Sequence, residues 1–230
     1  CVNYESYDYT IKMCKSLKEQ EGIDSLFELE VFVVDNSPYV SNILIEYCKS
    51  ESMIRYLRSK KNDGYFSGLN FGLQAIQPEN YDFVTICNND LEFEKYFIKK
   101  LLRKSYKKDI FVICPNVVTV DGIYQNPHHL NPLSWMEILA FDLYFSNFWI
   151  AKGLKIIKGI FTYRQDNNIK NIVRARGDVF EINQGVGACY ILTHAFFKKH
   201  DELFYPYFLY GEEALLSWQV RSSGGKLVFD

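Results

Sequence analysis

The feature that most constrains this chain is the alternation, through its first half, of short apolar runs with longer stretches of helical periodicity. Residues 29–34, 53–57, 81–87 and 110–114 are rich in β-branched and aromatic side chains and stop at turn-forming residues, which predicts buried strands. Between them, 7–20 carries Ile11, Cys14 and Leu17 at helical spacing, with Ser6 or Asp8 as its cap. Residues 41–50, 66–76 and 94–104 read as further helices. Strands alternating with helices predict an α/β fold, with a mostly parallel sheet flanked by helices and joined by right-handed crossovers.

The pattern changes after Pro115. Residues 117–124 with Asp121-Gly122 read as a hairpin. Residues 133–158 are strongly apolar, but Asp142 and Asn147 interrupt them before they reach the ~20 apolar residues of a membrane span. Two readings stay open there: helices packed on the domain, or an interfacial pair whose Lys152, Lys155 and Lys158 meet anionic headgroups. Residues 164–171 read as a polar loop, 179–182 and 188–192 as strands, 193–200 and 212–222 as helices. The chain starts and stops within strand-like sequence, so it reads as one domain over 1–230, a fragment cut within the domain at both ends.

Composition narrows the function classes. A net charge of −2 gives no basic field for nucleic acid. The six cysteines stand too far apart for a zinc knuckle or a redox pair, and Cys87 and Cys114 fall in apolar runs. Reduced, buried thiols point to a reducing compartment and a cytoplasmic setting.

The chemistry gathers where strands end. The run 81–87 stops at Asn88-Asn89-Asp90, and ligands of open α/β sheets sit past the carboxyl ends of strands. A carboxylate with amide neighbours suits a divalent cation that carries a diphosphate; the competing reading of Asp90 is a helix cap. Asp35-Asn36 can hydrogen-bond a nucleobase or ribose, or form an Asx turn. Asn62-Asp63-Gly64, with Gly68 and Asn70, forms a glycine-punctuated junction that either admits an anionic ligand or packs a helix tightly on the sheet. Gly185-x-Gly187 either leaves room in a sugar pocket or marks a bulge. Tyr207 to Tyr210 offer rings for a sugar face, and Glu212-Glu213 follow at a helix start, where acids are ordinary but where a general base would also fit. His128 and His129 read as a solvated loop.

Taken together, these segments resemble glycosyltransferase family 2, the inverting enzymes of GT-A (Rossmann-like) fold, and in particular bacterial surface-polysaccharide enzymes of rhamnosyltransferase type. Val33 to Ser37 resembles the family's first nucleotide-binding turn, and Asn62-x-Gly64 with Gly68-x-Asn70 its second. Asn88-Asn89-Asp90 resembles the Asp-x-Asp metal motif, with Asn88 in place of the first Asp. Tyr210 to Glu213, followed by Leu216, Arg221 and Gly224, resembles the helix bearing the base, with Glu213 in place of the usual Asp. The resemblance implies a nucleotide-sugar-binding half over 1–116 and an acceptor-binding half over 117–230 that carries a helical and hairpin insertion. It implies a nucleotide-sugar donor held by Asp35, Asn36, Asn62, Gly64, Asn70, Asn88 and Asn89, and Mg2+ or Mn2+ on Asp90. It also implies Glu213 or Glu212 as base and a saccharide or lipid-linked acceptor, at the inner face of the cell membrane if 133–158 touches lipid. The rivals are a nucleotide-sugar-binding module without catalysis, a nucleotidyltransferase, whose basic glycine-rich opening is missing from 3–9, and a scaffold domain.

Overall fold

The computed structural model describes residues 1–132, 139 and 179–230. The expectations for 133–158 and for the loop at 164–171 lie outside the described residues. In chain order the elements are β1 (Val2–Asn3), α1 (Tyr7–Lys18), β2 (Val31–Asp35), α2 (Asn42–Ser50), β3 (Ile54–Arg58), α3 (Tyr65–Ala75), β4 (Phe83–Cys87), α4 (Phe97–Leu102) and β5 (Ile110–Cys114). They continue with β6 (Phe180–Ile182), β7 (Cys189–Thr193), α5 (His194–Phe197), α6 (Glu212–Ser222) and β8 (Lys226–Phe229).

The first three strands form a parallel sheet in the order β1-β2-β3, as the alternation predicts. The second sheet runs β4-β7-β5-β8-β6 and is mixed. β7 enters antiparallel between β4 and β5, β8 lies parallel to β5, and β6 closes the edge antiparallel to β8. The mostly parallel pairing expected is complete in the first sheet, while the second keeps one parallel pair, β5 with β8, among antiparallel ones. A parallel bridge from Val2 to Asn88 brings β4 beside β1, so the polar residues that end β1 and β2 (Asn3 and Asp35) and the one just past β4 (Asn88) meet at one edge.

Local chemistry explains the helix limits. Ser41 caps α2 by accepting a bond from the Leu44 amide at 3.3 Å. Ser6 begins α1 without a capping bond, because its hydroxyl accepts from the Asn89 amide at 2.7 Å. The helix expected from 94 is only Phe97–Leu102, because Gln20 captures its start. The Gln20 side chain donates to the Glu94 carbonyl at 2.8 Å and accepts from the Ile98 amide at 3.1 Å. The hairpin at 117–124 reduces to one bridge, Val118 to Tyr124, around a turn at Gly122.

Burial follows the two sheets. Val34, Phe66 and Leu69 pack with Val112, Tyr190, Leu216 and Leu227 in the larger cluster. Met13, Cys14, Val33, Leu44 and Cys48 pack with Cys87 and Cys189 in another. Each buried aliphatic side chain stabilises the fold by roughly 1.5–3 kcal/mol relative to exposure. The cores thus hold the sheet edge rigid from below.

Candidate active site

Asp35 is the hub of that edge. It ends β2, is 1% exposed, and its carboxylate accepts from the Asn3 amide (2.9 Å), the Ser37 amide (3.1 Å) and hydroxyl (2.5 Å), the Tyr56 hydroxyl (2.6 Å) and Arg58 (3.0 Å). Burial alone would push its pKa up; the hydrogen bonds from Ser37, Tyr56 and Asn3 overcome that and hold it below the usual carboxylate value. Burial, joined by the same carboxylate, pushes the Tyr56 phenol well above its ordinary range.

The network continues toward β4. The Asn3 carbonyl oxygen accepts from Thr10 at 2.8 Å, and the Asn89 amide donates to Thr10 at 2.8 Å as well as to Ser6. Asn89 is therefore a pin between the end of β4 and the start of α1. Asn36 is 4% exposed and donates to Asn62 at 3.5 Å and to the Gly64 carbonyl at 3.3 Å, while its own carbonyl oxygen is buried without a partner. Asn62 also accepts from the Gly64 amide at 3.1 Å. Gly64 has φ +100, and a Cβ there would stand 2.0 Å from the Phe208 carbonyl oxygen. The close approach expected at this glycine is thus to the chain's own 207–210 segment. Asn70 stands apart from this group, because its amide exchanges two bonds with the Leu203 backbone, at 2.9 and 2.8 Å.

The acidic pair reaches the same edge from the second sheet. Gly211, in the left-handed region at φ +91, turns the chain into α6, and Glu212 and Glu213 fill its first turn. Glu213 accepts from the Gly187 amide at 3.2 Å. The next residue, Ala188, accepts from the Asn88 amide at 2.8 Å. One short backbone path therefore joins the acids to the Asn88-Asn89-Asp90 turn. Gly187 makes room for this, since a Cβ there would lie 2.7 Å from Glu213 Oε1. Asn126 braces the same loop by accepting from the Val186 amide and donating to the Pro115 carbonyl, each at 2.7 Å.

A chain with this edge, these glycines and this acid pair can be compared with known proteins. The family profile described as "Glycosyl transferase family 2" matches residues 1–176. The chain belongs to glycosyl transferase family 2. Within the family, it is 29% identical over 140 residues to the low-salt glycan biosynthesis hexosyltransferase Agl10 of Haloferax volcanii, an alignment that takes in 54% of this chain and 45% of that one. The crystal structure of TarS from S. aureus matches the whole chain with a TM-score of 0.61 at 15% identity, and the chain covers 34% of it. The TarS 1–349 structure in complex with UDP gives the same score and identity, with 56% of its length covered. The TarS likeness establishes the GT-A-like α/β fold, and this chain spans about half or less of the length of these relatives.

The family implies a divalent cation. Among the described residues no group of three His, Cys, Asp or Glu side chains converges on one point. Asp90 is exposed, has no ion pair among the described residues, and lines a cavity of about 980 Å³ together with Lys100, Lys104 and Asp230. Such a set fits a cation that arrives with diphosphate and water oxygens and takes a single carboxylate from the protein. It does not fit a closed protein cage.

Sequence reasoning overlooked Asn3, Ser37, Tyr56 and Arg58 at this edge. Asn3 was detectable, because three strands that run into Asn or Asp mark one shared rim. The others announce themselves only through their contacts. His128 and His129 stack on each other at 4.5 Å, and the bridge from His129 to Gln184 seats them beside the Gly185–Gly187 loop.

Proposed function

We propose that this domain moves a hexosyl group, with inversion, from a nucleoside-diphosphate sugar to a saccharide or lipid-linked acceptor in the building of a surface polysaccharide. The observation that carries the reading is the backbone path from Glu213 through Gly187 and Ala188 to Asn88, which sets a base-type acid and a metal-type acid on the same rim. Asn36 and Asn62 line the nucleotide side, with the buried Asn36 carbonyl oxygen available to a nucleobase or ribose donor group. Asp35 holds that turn in place rather than touching the ligand, since its oxygens are already taken.

Asp90 would hold Mg2+ or Mn2+, which when bound neutralises charge on the leaving diphosphate. Glu213, oriented by the Gly187 amide, removes the proton from the acceptor hydroxyl. The acceptor oxygen forms its bond to the anomeric carbon as the bond to the diphosphate oxygen breaks, and that oxygen leaves with the electron pair. Exposed Tyr207, Phe208 and Tyr210 border the start of α6, where an acceptor sugar can stack. Among the described residues no helix is long and apolar enough to cross a membrane; contact with a bilayer would fall to 133–158. Buried thiols with raised pKa, such as Cys14 at about 12 and Cys48 at about 11, suit a reducing, cytoplasmic setting.

The test is Glu213→Gln in the full protein. General-base loss lowers turnover by roughly 10²–10⁴-fold, with the thermal shift produced by the donor unchanged. Undiminished turnover would remove Glu213 from the mechanism. Donor binding without transfer by the wild-type protein to any acceptor would favour a binding module instead, a reading the single carboxylate at Asp90 keeps in play.

A further inference from the structure

We propose that the outer side of residues 95–108, from the approach to α4 to the turn into β5, is a docking surface for a bilayer that carries anionic phospholipid. The inference stands on this surface alone and goes beyond the transferase reading. The segment holds seven Lys and Arg and no Asp or Glu, on a chain whose net charge is −2. Three of the seven are neutralised within the fold: Lys99 by Glu21, Lys100 by Glu94 at 2.7 Å, and Lys104 by Asp230. Lys95, Arg103, Lys107 and Lys108 are exposed and have no ion pair among the described residues. Like charges this close repel one another, and an anionic surface that meets them relieves the repulsion.

Two exposed apolar side chains sit among these cations. Tyr96 is 41% exposed, with the Lys95 ammonium 5.8 Å over its ring, and Leu102 is 39% exposed. With about 3.6 residues per turn, Leu102 lies across α4 from Phe97 and Lys100, which line the same cavity as Asp90. α4 thus turns one side to that cavity and the other to solvent. Cations with aromatic and aliphatic side chains between them suit a segment that rests in the headgroup layer. The charges meet lipid phosphates while the Tyr and Leu side chains enter the interface. A nucleic acid would use the charges and leave Leu102 without a role. Apolar length points to 133–158 for bilayer contact; charge points to this separate surface. A leaflet met here lies one helix diameter, roughly 10 Å, from the cavity that Asp90 lines.

The test is co-sedimentation of the full protein with vesicles of phosphatidylcholine, with and without phosphatidylglycerol, at low and high salt. Wild type should bind only the phosphatidylglycerol vesicles and release them at high salt. Each exposed cation near an anionic leaflet is worth about fivefold in partitioning. Replacing Lys95, Arg103, Lys107 and Lys108 together by Gln should therefore weaken binding about a hundredfold or more. Leu102→Ser should weaken it about three- to tenfold and leave its salt dependence intact. Both variants should keep the wild-type melting temperature and the wild-type turnover of a water-soluble acceptor, so their failure is distinct from any failure of the transferase reading. Three results would overturn the assignment. Equal binding to both kinds of vesicle, or to neither, would remove the electrostatic contact. Wild-type binding by the four-site Gln variant would move it elsewhere, to 133–158 in the first place. Duplex DNA bound as tightly as the vesicles, and lost in the same variant, would give the patch a different partner.

Discussion

Gly187→Ala separates catalysis from stability. The added Cβ would stand 2.7 Å from Glu213 Oε1 and 3.1 Å from its carboxyl carbon. Ordinary carbon–oxygen contact begins about 0.7 Å farther out, so one partner must move. The atom in the way is the tip of a flexible side chain, not backbone, and the Gly187 backbone does not require glycine. Glu213 therefore swings aside, giving up its 3.2 Å bond from the Gly187 amide. That bond on a half-exposed carboxylate is worth about 0.5–1.5 kcal/mol, so the melting temperature falls by only a few degrees. Catalysis is far more sensitive, since a displacement near 1 Å at a reacting group can cost about 10²-fold. The expected result is a kcat lowered ten- to a hundredfold, a donor KM within about twofold of wild type, and partial recovery in Gly187→Ala with Glu213→Asp, whose shorter side chain clears the methyl group. Gly185→Ala is the contrasting control. Its Cβ would lie 2.5 Å from the buried Cys114 Sγ, so it should cost about 1–3 kcal/mol of stability by overpacking. Steady-state kinetics and thermal melts on the same preparations decide the matter. Wild-type turnover in Gly187→Ala would refute the argument that Glu213 must sit where that glycine lets it.

Other perturbations follow from the same rim. Asp35→Asn leaves Arg58 facing a neutral amide and sets an NH2 group among hydrogen-bond donors, so a loss of about 3–5 kcal/mol is expected in urea denaturation; a loss under about 1 kcal/mol would contradict the hub. Because the folded pKa of Asp35 lies below its unfolded value, its contribution is complete above about pH 4. It is lost as pH falls from there through the lower folded value, which stability curves in mild acid should register and Asp35→Asn should flatten. Asp90→Ala should change intrinsic stability by no more than about 0.5 kcal/mol, because the side chain is exposed. It should abolish any added thermal shift that manganese gives to a nucleotide; manganese enhancement that persists would exclude Asp90 as its ligand.

Much of this arrangement was legible in the chain itself. β5 and α6 occupy the ranges expected of them, because a continuous apolar run and a glycine-led acidic turn leave few alternatives. Strand direction in the second sheet was not legible. The run at 188–192 reads plainly as a strand, but nothing in it says that it enters between β4 and β5 or faces the other way, since pairing is chosen by packing partners distant in sequence. Amides were the hardest to read. Asn62, Asn70 and Asn89 look alike in sequence, yet the first shapes a turn, the second clamps the Leu203 backbone and the third pins α1 to β4. Their chemistry was evident and their partners were not.

The interleaving of the second sheet bears on how the chain comes to fold. β4 and β5 are made early but do not pair with each other; β7 lies between them, and β8 flanks β5 on the other side. As the polypeptide leaves the ribosome, these two apolar strands must wait, their edges open, until far later residues emerge. Unpaired edges of this kind invite association with other chains. Synthesis rate and chaperone cover during that interval then decide how much of the protein reaches its native state. The rim contact from Asn88 to Ala188 waits in the same way for residues made a hundred positions later.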